Sequence, residues 1–192
     1  MREITTKDER AKKTRNNQLI IGIVLMSLMI LSTIGFAFIN NTSSQSLDKI
    51  EYNGIEFINN GNLWYFNIQN IEFSARYNPE ELKDINFAGY NSIQNYNNKP
   101  LYFVGELGEH FFEIDRNLRD RFVLRINQAC FGGLECEEDI PVKDCSDNLI
   151  IFKIPNNESE KIYKEENCVF IVANYSNQVK YADAFLFDIL DI

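Results

Sequence analysis

The residues of this chain that most directly suggest chemistry are its four cysteines, Cys130, Cys136, Cys145 and Cys168. All four follow a long apolar segment, in the part of the chain that we predict below to be exported, and an even number of cysteines outside the cytoplasm favours two disulfides. The chain has one histidine and no Cys-x-x-Cys pair, whereas structural zinc sites use closely spaced ligand pairs. We therefore predict no metal and no cofactor, with free buried thiols or a thiol-redox site as the alternatives to disulfides.

Three pairings of four cysteines are possible, and sequence alone does not choose among them. A bridge between Cys136 and Cys145 would close a small loop around residues 140–141. It would leave Cys130 to join the preceding predicted helix to the predicted strand at Cys168. We favour this pairing.

Two weak candidates for a catalytic group are His110 and Asp115. His110 falls at the start of a predicted helix, where the helix dipole lowers the pKa of a histidine. Asp115 falls inside the apolar stripe of the same helix, so it is either an acid of raised pKa in a pocket or an acid paired with Arg119 one turn later. We expect a structural role for both: a partly exposed side chain at the helix start for His110 and an ion pair for Asp115.

No motif with a defined catalytic geometry is present. The chain contains neither a Gly-x-Ser-x-Gly turn nor a Walker-type phosphate loop, and the segment 105–108 is too short for a dinucleotide-binding loop. Hydrolysis by a pair of carboxylates stays open, because only their separation in space can test it. Four arginines fall on both sides of the apolar stripe, so we expect them to be counter-ions of local acids rather than a phosphate-binding strip: Arg116, Arg119, Arg121 and Arg125.

The element that positions everything else is an apolar segment at residues 19–39. It contains 21 residues without a charge, and a helix of that length spans about 31 Å, roughly the hydrocarbon core of a bilayer. The preceding residues hold six basic and three acidic side chains, and basic flanks stay in the cytoplasm. We predict a basic cytoplasmic tail at 1–18, a transmembrane helix at 19–39, a polar linker at 40–48 and an exported domain at 49–192.

A cleaved signal peptide is the competing interpretation of the same segment. The apolar region of a signal peptide is usually shorter and ends at a site with small residues. Here bulky side chains occupy residues 36–39, where Phe-Ala-Phe-Ile stands. We therefore favour an uncleaved anchor.

The exported domain is predicted to be α+β and to begin with an antiparallel β-meander. Residues 49–77 alternate apolar and polar side chains, as half-buried strands do. The pattern is interrupted at Asn53-Gly54 and at Asn60-Gly61. Asn-Gly is the strongest local signal for a hairpin, because both central residues of a type I′ turn need positive φ. We expect three or four strands.

A short helix, a buried strand and a long helix are predicted next. The short helix begins at Pro79, with Asn78 as its N-cap, and ends near residue 86. The strand covers residues 100–105. The long amphipathic helix covers residues 109–131 and has one apolar stripe. The residues of that stripe are Phe111, Ile114, Leu118, Phe122, Ile126 and Ala129.

The chain is predicted to end with a β-hairpin and a helix. Two β-rich runs at residues 149–154 and 168–172 are joined by a charged loop that is too short for a helical crossover, so we expect them to pair antiparallel. The last helix has an apolar face formed by Tyr181, Ala182, Phe185, Leu186 and Ile189. The acids predicted to lie off that face are Asp183, Asp188 and Asp191.

Charge limits the partners of the exported domain. Residues 40–192 hold 13 basic and 25 acidic side chains, a formal charge of −12. Such a domain repels phosphate backbones and anionic lipid head groups, which argues against a nucleic-acid partner. The partners that we expect are the membrane, through one helix, and another membrane or surface protein. Four glycosylation sequons would be accessible in this topology, of which we favour the third: Asn40, Asn41, Asn157 and Asn174.

The leading hypothesis is a single-pass protein of the cell membrane whose extracytoplasmic domain acts as a binding or structural module. The alternatives are a membrane-anchored hydrolase that uses carboxylates and a thiol-redox protein. A deep cleft lined by Asp115 with another acid or with His110 would favour the hydrolase, whereas a flat or convex surface would favour the module. The redox protein requires an exposed cysteine of low pKa.

Overall fold

The computed structural model describes residues 7–41, 48–85, 87–89, 91–132, 136 and 139–192. They belong to two compact units, Met1–Leu47 and Asp48–Ile192. The described part of the first unit is one helix, α1 (Lys7–Asn41), with side chains described for residues 15–32.

The apolar segment near the amino terminus is helical, as predicted. Within α1 the stretch Arg15–Ser32 has a mean hydropathy of 1.3, and none of it is buried. Among the described residues it is the one helix with the length and composition to cross a membrane, and a signal sequence shares these properties. This apolar helix and the two disulfides described below indicate a membrane-anchored or exported protein. Most of the predicted linker lies outside the described residues, and residues 7–18 of the predicted tail belong to α1.

The first sheet of the second unit is the predicted meander. Its four strands are antiparallel neighbours in chain order: β1 (Lys49–Tyr52), β2 (Ile55–Asn59), β3 (Trp64–Ile68) and β4 (Ile71–Ala75). Asn53 and Gly54 have φ angles of 51° and 79°, as a type I′ turn requires. The buried face stacks Phe66 against Phe57 and Phe73, with ring centroids 4.6 and 5.6 Å apart.

The second sheet is mixed rather than antiparallel. The remaining strands are β5 (Phe87–Ala88), β6 (Pro100–Val104), β7 (Arg125–Gln128), β8 (Cys130–Phe131), β9 (Val142–Lys143), β10 (Asn148–Lys153), β11 (Lys161–Glu165) and β12 (Cys168–Val172). Six of them form a sheet in the order β5-β11-β12-β10-β6-β7, and β8 pairs with β9. Strands β7, β6, β10 and β12 are parallel to one another. The predicted buried strand is confirmed as β6.

The predicted hairpin between residues 149–154 and 168–172 is wrong. The two runs do form neighbouring strands, β10 and β12, but they pair in parallel, with Ile150 opposite Val169. The predicted charged loop between them contains β11, which runs antiparallel to β12 on its far side. The real hairpin is therefore β11–β12, and the link from β10 to β11 passes the end of β12.

The short helix is confirmed and ends earlier than predicted. It is α2 (Pro79–Leu82). The Asn78 Oδ1 atom accepts a hydrogen bond of 3.1 Å from the backbone N–H of Glu81, and the Glu81 carboxylate accepts one of 2.8 Å from the backbone N–H of Asn78. This reciprocal pair is a capping box, which fixes where the helix begins.

The predicted long helix is less than half as long as expected. It is α3 (Glu109–Leu118), and Arg119 after it is extended, with φ −61° and ψ 139°. Asp120 has a positive φ of 60°. Residues 125–128 then form β7, in which Ile126 pairs with Leu101 of β6. In the second half of the apolar stripe, Ile126 lies in β7 and is buried beside β6. Phe122 and Ala129 lie outside helices and strands.

The last helix, α4 (Gln178–Ile189), is confirmed, but the predicted position of one of its acids is wrong. Asp183 is completely buried, whereas it was expected off the apolar face. The predicted apolar face is itself buried. The helix therefore buries most of its circumference, which is typical of a helix enclosed on several sides.

The core has two layers, one on each face of the second sheet. The larger layer packs the sheet against α3, α4 and the meander, and its strand residues include Leu101, Phe103, Ile150, Val169 and Ile171. The smaller layer lies on the other face and is formed by Tyr102, Val104, Ala129, Leu149, Ile151, Cys168 and Phe170. Side chains of β6, β10 and β12 are therefore buried on both faces, as is usual for parallel strands.

Candidate functional site

The structure bonds the cysteines in a pairing that differs from the one favoured by the sequence. Cys130 is joined to Cys136 and Cys145 to Cys168, with Cα atoms 5.8 and 5.0 Å apart. Cys130 lies in β8 rather than in a helix, so the expected link from a helix to Cys168 does not exist. Cys145 lies just before β10 and Cys168 begins β12, so the parallel pairing of these strands brings the two side chains together. None of the four cysteines is a free thiol.

Asp115 forms the expected ion pair. Its carboxylate accepts a hydrogen bond of 2.7 Å from Nε of Arg119, one turn later. The side chain is 19% exposed. It lines neither of the two cavities described below.

His110 is buried, which corrects the expectation of a partly exposed side chain. Its ring lies 4.3 Å from that of Phe152 and 5.6 Å from that of Phe103, measured between centroids. Burial lowers the pKa of His110, and a hydrogen bond to the backbone of Glu106 opposes that shift only in part. The Nε2 atom has no hydrogen-bond partner among the described residues. The imidazole packs against both phenyl rings, which also contact each other at 5.2 Å, so it fills space in the core.

Two buried carboxylates were missed by sequence reasoning: Glu113 on α3 and Asp183 on α4. Glu113 is 1% exposed and pairs with Arg116, and its Oε1 lies 3.8 Å from Nη2 of Arg76. The Oδ2 atom of Asp183 accepts hydrogen bonds from the backbone N–H groups of Arg76 and Tyr77, at 2.8 and 2.9 Å. Burial, and then the negative charge of Glu113, raise the pKa of Asp183 well above its ordinary value.

The same network joins the meander to α3. The backbone N–H of Ser74 donates to Oδ1 of Asn117 at 3.0 Å, and the Ser74 carbonyl accepts from Nδ2 of Asn117 at 2.8 Å. The Ser74 hydroxyl accepts a hydrogen bond of 2.8 Å from Nε of Arg116. Neither Glu113 nor Asp183 lines a described cavity. The pair of carboxylates therefore holds β4, α3 and α4 together and is not open to a substrate.

The sequence did contain a signal for the buried acid on α4. Asp183 stands in the run Tyr-Ala-Asp-Ala-Phe-Leu-Phe, residues 181–187, which is apolar on all sides of a helix except at the acid itself. A helix that is apolar all round is buried, and a buried acid must be hydrogen-bonded or charge-paired. The signal for Glu113 is weaker, because its neighbours include charged residues on both sides.

A cavity of about 200 Å³ lies where the meander meets the second sheet. One acid, Asp188, lines it. Burial, helped by the nearby charge of Asp191 and opposed by Lys164, raises the pKa of Asp188 to about 6. Its Oδ2 atom is buried and has no hydrogen-bond partner among the described residues. The lining residues are Tyr52, Pro79, Leu82, Lys83, Ile85, Phe87, Ile162, Ala184, Phe187, Asp188 and Ile192.

A second, polar cavity of about 310 Å³ lies at the amino ends of β6 and β10. Several of its polar groups are already engaged. The Asn148 amide donates to the Pro100 carbonyl at 3.4 Å, and the Asn167 amide donates to the Ser146 carbonyl at 3.2 Å. These contacts hold the loops at the strand ends in place. Among the described residues, no group of three or more His, Cys, Asp or Glu side chains could hold a metal ion.

Exposed apolar side chains gather at the opposite edge of the second sheet, where β6, β10 and β12 end. Leu107 follows β6, Ile154 follows β10 and Tyr175 follows β12, and Phe112 lies in the first turns of α3, which begins at the same edge. Their exposed fractions are 47%, 42%, 67% and 57% for Leu107, Ile154, Tyr175 and Phe112. We call these four residues the carboxyl-edge surface.

Charged and asparagine side chains surround the carboxyl-edge surface. Glu106 is exposed beside Leu107. Glu109 pairs with Arg76 at 2.7 Å, and Glu158 pairs with Lys161 at 2.6 Å. Glu109 and Glu158 are therefore each neutralised by a basic partner, and the border of this surface carries charges of both signs.

Two of the predicted glycosylation sites lie at this edge. Asn157 is exposed in the link from β10 to β11, and Asn174 is exposed between β12 and α4. The side chains of Asn40 and Asn41 lie outside the described residues. Glycosylation at all four sites stays a prediction.

Comparison with known proteins finds no matching family model, no matching curated protein and no matching solved structure, so a function can be argued only from the features above.

Proposed function

We propose that this protein is a single-pass, membrane-anchored module that binds a partner protein through the carboxyl-edge surface. The observation that carries the proposal is the exposure of Leu107, Phe112, Ile154 and Tyr175 at one edge of the sheet. Exposed apolar side chains that cluster, with aromatic residues among them, are typical of protein contact surfaces.

The charge of the domain favours one kind of partner. Residues 40–192 carry a formal charge of −12, and Glu106 is exposed beside Leu107 in the carboxyl-edge surface. A complementary partner presents apolar side chains bordered by lysine or arginine. Two copies of this chain would bring two domains of formal charge −12 together, and anionic lipid would be repelled. The proposed occupant is therefore a different protein with a basic rim.

The proposed topology places the amino terminus in the cytoplasm and residues 48–192 outside. Six basic side chains precede the apolar segment at residues 19–39, and such flanks remain cytoplasmic. The disulfides Cys130–Cys136 and Cys145–Cys168 persist in oxidising compartments. Both features support export of the domain.

The hydrolase and redox alternatives receive no support from the described residues. Asp115 is paired with Arg119, and His110 is stacked in the core. The carboxylates of Glu113 and Asp183 are sealed from solvent. All four cysteines are bonded.

Site-specific photo-crosslinking in native membranes tests the contact surface. A photoreactive phenylalanine analogue replaces Phe112 in the full chain, and the control position is Leu124, which is 65% exposed just before β7, at the other edge of the sheet. We expect an adduct from position 112 and none from position 124. Tyr175→Ser in the same chain should reduce the adduct about tenfold, because exposed tyrosines often dominate contact energies.

The identity of the adduct decides between occupants. Peptide mapping should place the crosslink on a protein segment with apolar residues flanked by lysine or arginine. A crosslink to a second copy of this chain, equal adducts from positions 112 and 124, or an adduct that Tyr175→Ser leaves unchanged would each contradict the proposal.

Protease accessibility tests the topology separately. Protease added to intact cells should cleave the domain that contains Trp64, and the basic residues before the apolar segment 19–39 should be cut only after lysis. Protection of the domain in intact cells would overturn the proposed orientation while leaving the contact surface to be tested by crosslinking.

A further inference from the structure

The two edges of the meander differ in how their backbone groups are satisfied. On the β4 edge, the backbone N–H and carbonyl of Ser74 both bond to the side chain of Asn117. The Glu72 carbonyl accepts a hydrogen bond from the guanidinium of Arg121, and the backbone N–H groups that follow β4 donate to Asp183. Side chains therefore close this edge to another strand.

The opposite edge of the meander, β1, is open. The strand pairs with β2, and at its beginning the Asp48 carbonyl accepts a hydrogen bond of 2.8 Å from the backbone N–H of Asn59. Because every second residue of an antiparallel strand bonds to a given neighbour, Lys49 and Glu51 direct their N–H and carbonyl groups away from β2. Among the described residues, no strand and no side chain bonds to these groups.

The exposed side chains of β1 are charged, and their own sheet balances them incompletely. Lys49 pairs with Glu56 of β2 at 3.0 Å. Glu51 lies directly opposite Glu56 in the register of the two strands, and like charges opposite each other destabilise a sheet. Within the described part of the chain, Glu51 has no ion pair. A lysine added beside Glu51 would relieve this repulsion.

We propose that β1 pairs antiparallel with β1 of a second copy of this chain, about a two-fold axis at Ile50. In this register Lys49 lies opposite Glu51 of the partner subunit, and Glu51 lies opposite the partner's Lys49. Both residues have outward-directed backbone groups, so each pair can exchange N–H···O bonds. An axis at Lys49 or at Glu51 would instead place identical charges opposite each other. The charges of the edge therefore select one register.

The net charge of the domain does not prevent this contact. Charged side chains protect an edge strand from pairing, but in this register each of them meets an opposite charge. The formal charge of −12 is spread over the whole domain, and repulsion between exposed charges farther apart than a Debye length of about 8 Å is largely screened at physiological salt. The four residues of the carboxyl-edge surface are uncharged and provide no such compensation there.

A short strand pair is weak by itself, and it needs the membrane anchor of the proposed function. A few residues from each chain bury much less than the roughly 1,200 Å² of a stable interface. Two anchored copies are confined to one membrane, which raises their effective concentration. This step rests on the proposed anchor, whereas the choice of register does not. We expect dimers in membranes and monomers in dilute detergent solution.

Cysteine trapping of the full chain in native membranes tests the contact. The variant is Ile50→Cys, and the matched control is Ile68→Cys, which replaces another half-buried isoleucine at the end of β3 in the same sheet. Two residues opposite each other at the axis have Cα atoms about 4.5 Å apart, within the range of a disulfide. We expect a disulfide-linked dimer from position 50 and none from position 68. Mass mapping should join position 50 to position 50, with both native disulfides intact.

Charge reversal in vesicles tests the register. Lys49→Glu should weaken the dimer about tenfold, and so should Glu51→Lys, because each variant places like charges at both ends of the strand pair. An equal mixture of the two variants should restore dimers, since every charge again meets an opposite one. Energy transfer between labels at the amino terminus measures dimers, Glu72→Lys on the closed edge is the control that should retain them, and Trp64 fluorescence checks folding.

The outcomes separate this contact from other associations. Trapping of position 50 on a different protein would overturn the second copy as the occupant. Equal trapping from positions 50 and 68, or energy transfer that neither charge reversal lowers, would overturn the strand pairing, because association through the apolar helix alone would survive both changes. A chain that fails to float with vesicles would contradict the proposed anchor instead, and trapping in concentrated detergent solution would then decide the register.

Discussion

The carboxylate of Asp183 accepts a hydrogen bond of 2.8 Å from the backbone N–H of Arg76, and this bond joins the last helix of the chain to the end of the meander. The two residues are 107 positions apart in sequence. Tyr77 donates a second backbone N–H to the same oxygen. One side chain thus satisfies two backbone donors where β4 ends, and the sheet has no partner strand for them at that point.

Replacement of Asp183 tests how much of the stability this contact carries. Asp183→Ala leaves two buried N–H groups without an acceptor, so we expect a loss of about 3 kcal/mol in the free energy of unfolding. Asp183→Asn keeps an acceptor oxygen and removes the negative charge that lies near Glu113, so it should cost much less or stabilise. Denaturant unfolding followed by Trp64 fluorescence measures both. A similar loss in the two variants would show that the charge, rather than the acceptor, is what matters.

The disulfide pairing predicts two unequal contributions to stability. Cys145 and Cys168 are 23 positions apart, and Cys130 and Cys136 are 6 apart. Because the entropy removed from the unfolded chain grows with loop length, replacing both members of the longer pair by serine should cost about 3 kcal/mol, and of the shorter pair about 2 kcal/mol. Mass mapping of a non-reduced digest tests the pairing directly. A peptide that joins Cys136 to Cys145 would contradict the structure.

Local signals were sufficient to predict the meander, α2 and β6. The positive φ angles at Asn53 and Gly54 and the capping of α2 by Asn78 involve residues close together in the chain, so turn and capping chemistry identifies them. The strand order of the second sheet could not be predicted from local signals. Whether β10 pairs with β12 in parallel depends on where β11 goes, and that depends on contacts between residues far apart in sequence.

The early end of α3 is a second feature that local signals could not predict. The spacing from Phe111 to Ile126 fits a helix, and no glycine or proline marks the break at Asp120, which adopts positive φ as aspartate occasionally does. Ile126 is buried equally well as a strand residue beside Leu101. Local propensity cannot distinguish a helix from a strand at Ile126, because pairing with β6 determines which of the two forms. The apolar run around Asp183 indicates that this acid is buried, but its hydrogen-bond donors, Arg76 and Tyr77, are far away in sequence and no local pattern reveals them.

The ring of His110 leaves no room for a side chain at Gly108, so we predict that a glycine is needed there. A Cβ atom at position 108 would lie 2.9 Å from Cε1 and 3.0 Å from Nδ1 of His110, closer than packed atoms tolerate. Gly108→Ala should therefore destabilise the domain by about 1–3 kcal/mol, as overpacking does. Combining it with His110→Ser should relieve the clash, so the double variant should lose less than the sum of the single losses. Additive losses would indicate that Gly108 matters for another reason.

Asp188 should make the domain less stable as the pH rises from about 4 to about 6. In the folded protein its pKa is raised from 3.8 to about 6. Between these values the folded state holds a proton that the unfolded state has released, so the free energy of unfolding falls with increasing pH. Below that range the carboxyl is neutral in both states, and above it the cost of the buried charge is present in full.

Asp188→Asn removes this dependence and should leave that of Asp183, whose pKa is also raised. The difference in melting temperature between Asp188→Asn and the native chain should be near zero at about pH 4 and reach a constant positive value above about pH 6.5. Thermal unfolding followed by Trp64 fluorescence measures it, with Glu51→Gln, an exposed acid on β1, as the matched control. Glu51→Gln should show no comparable rise across this range. A pH-independent difference for Asp188→Asn would contradict the raised pKa of this acid.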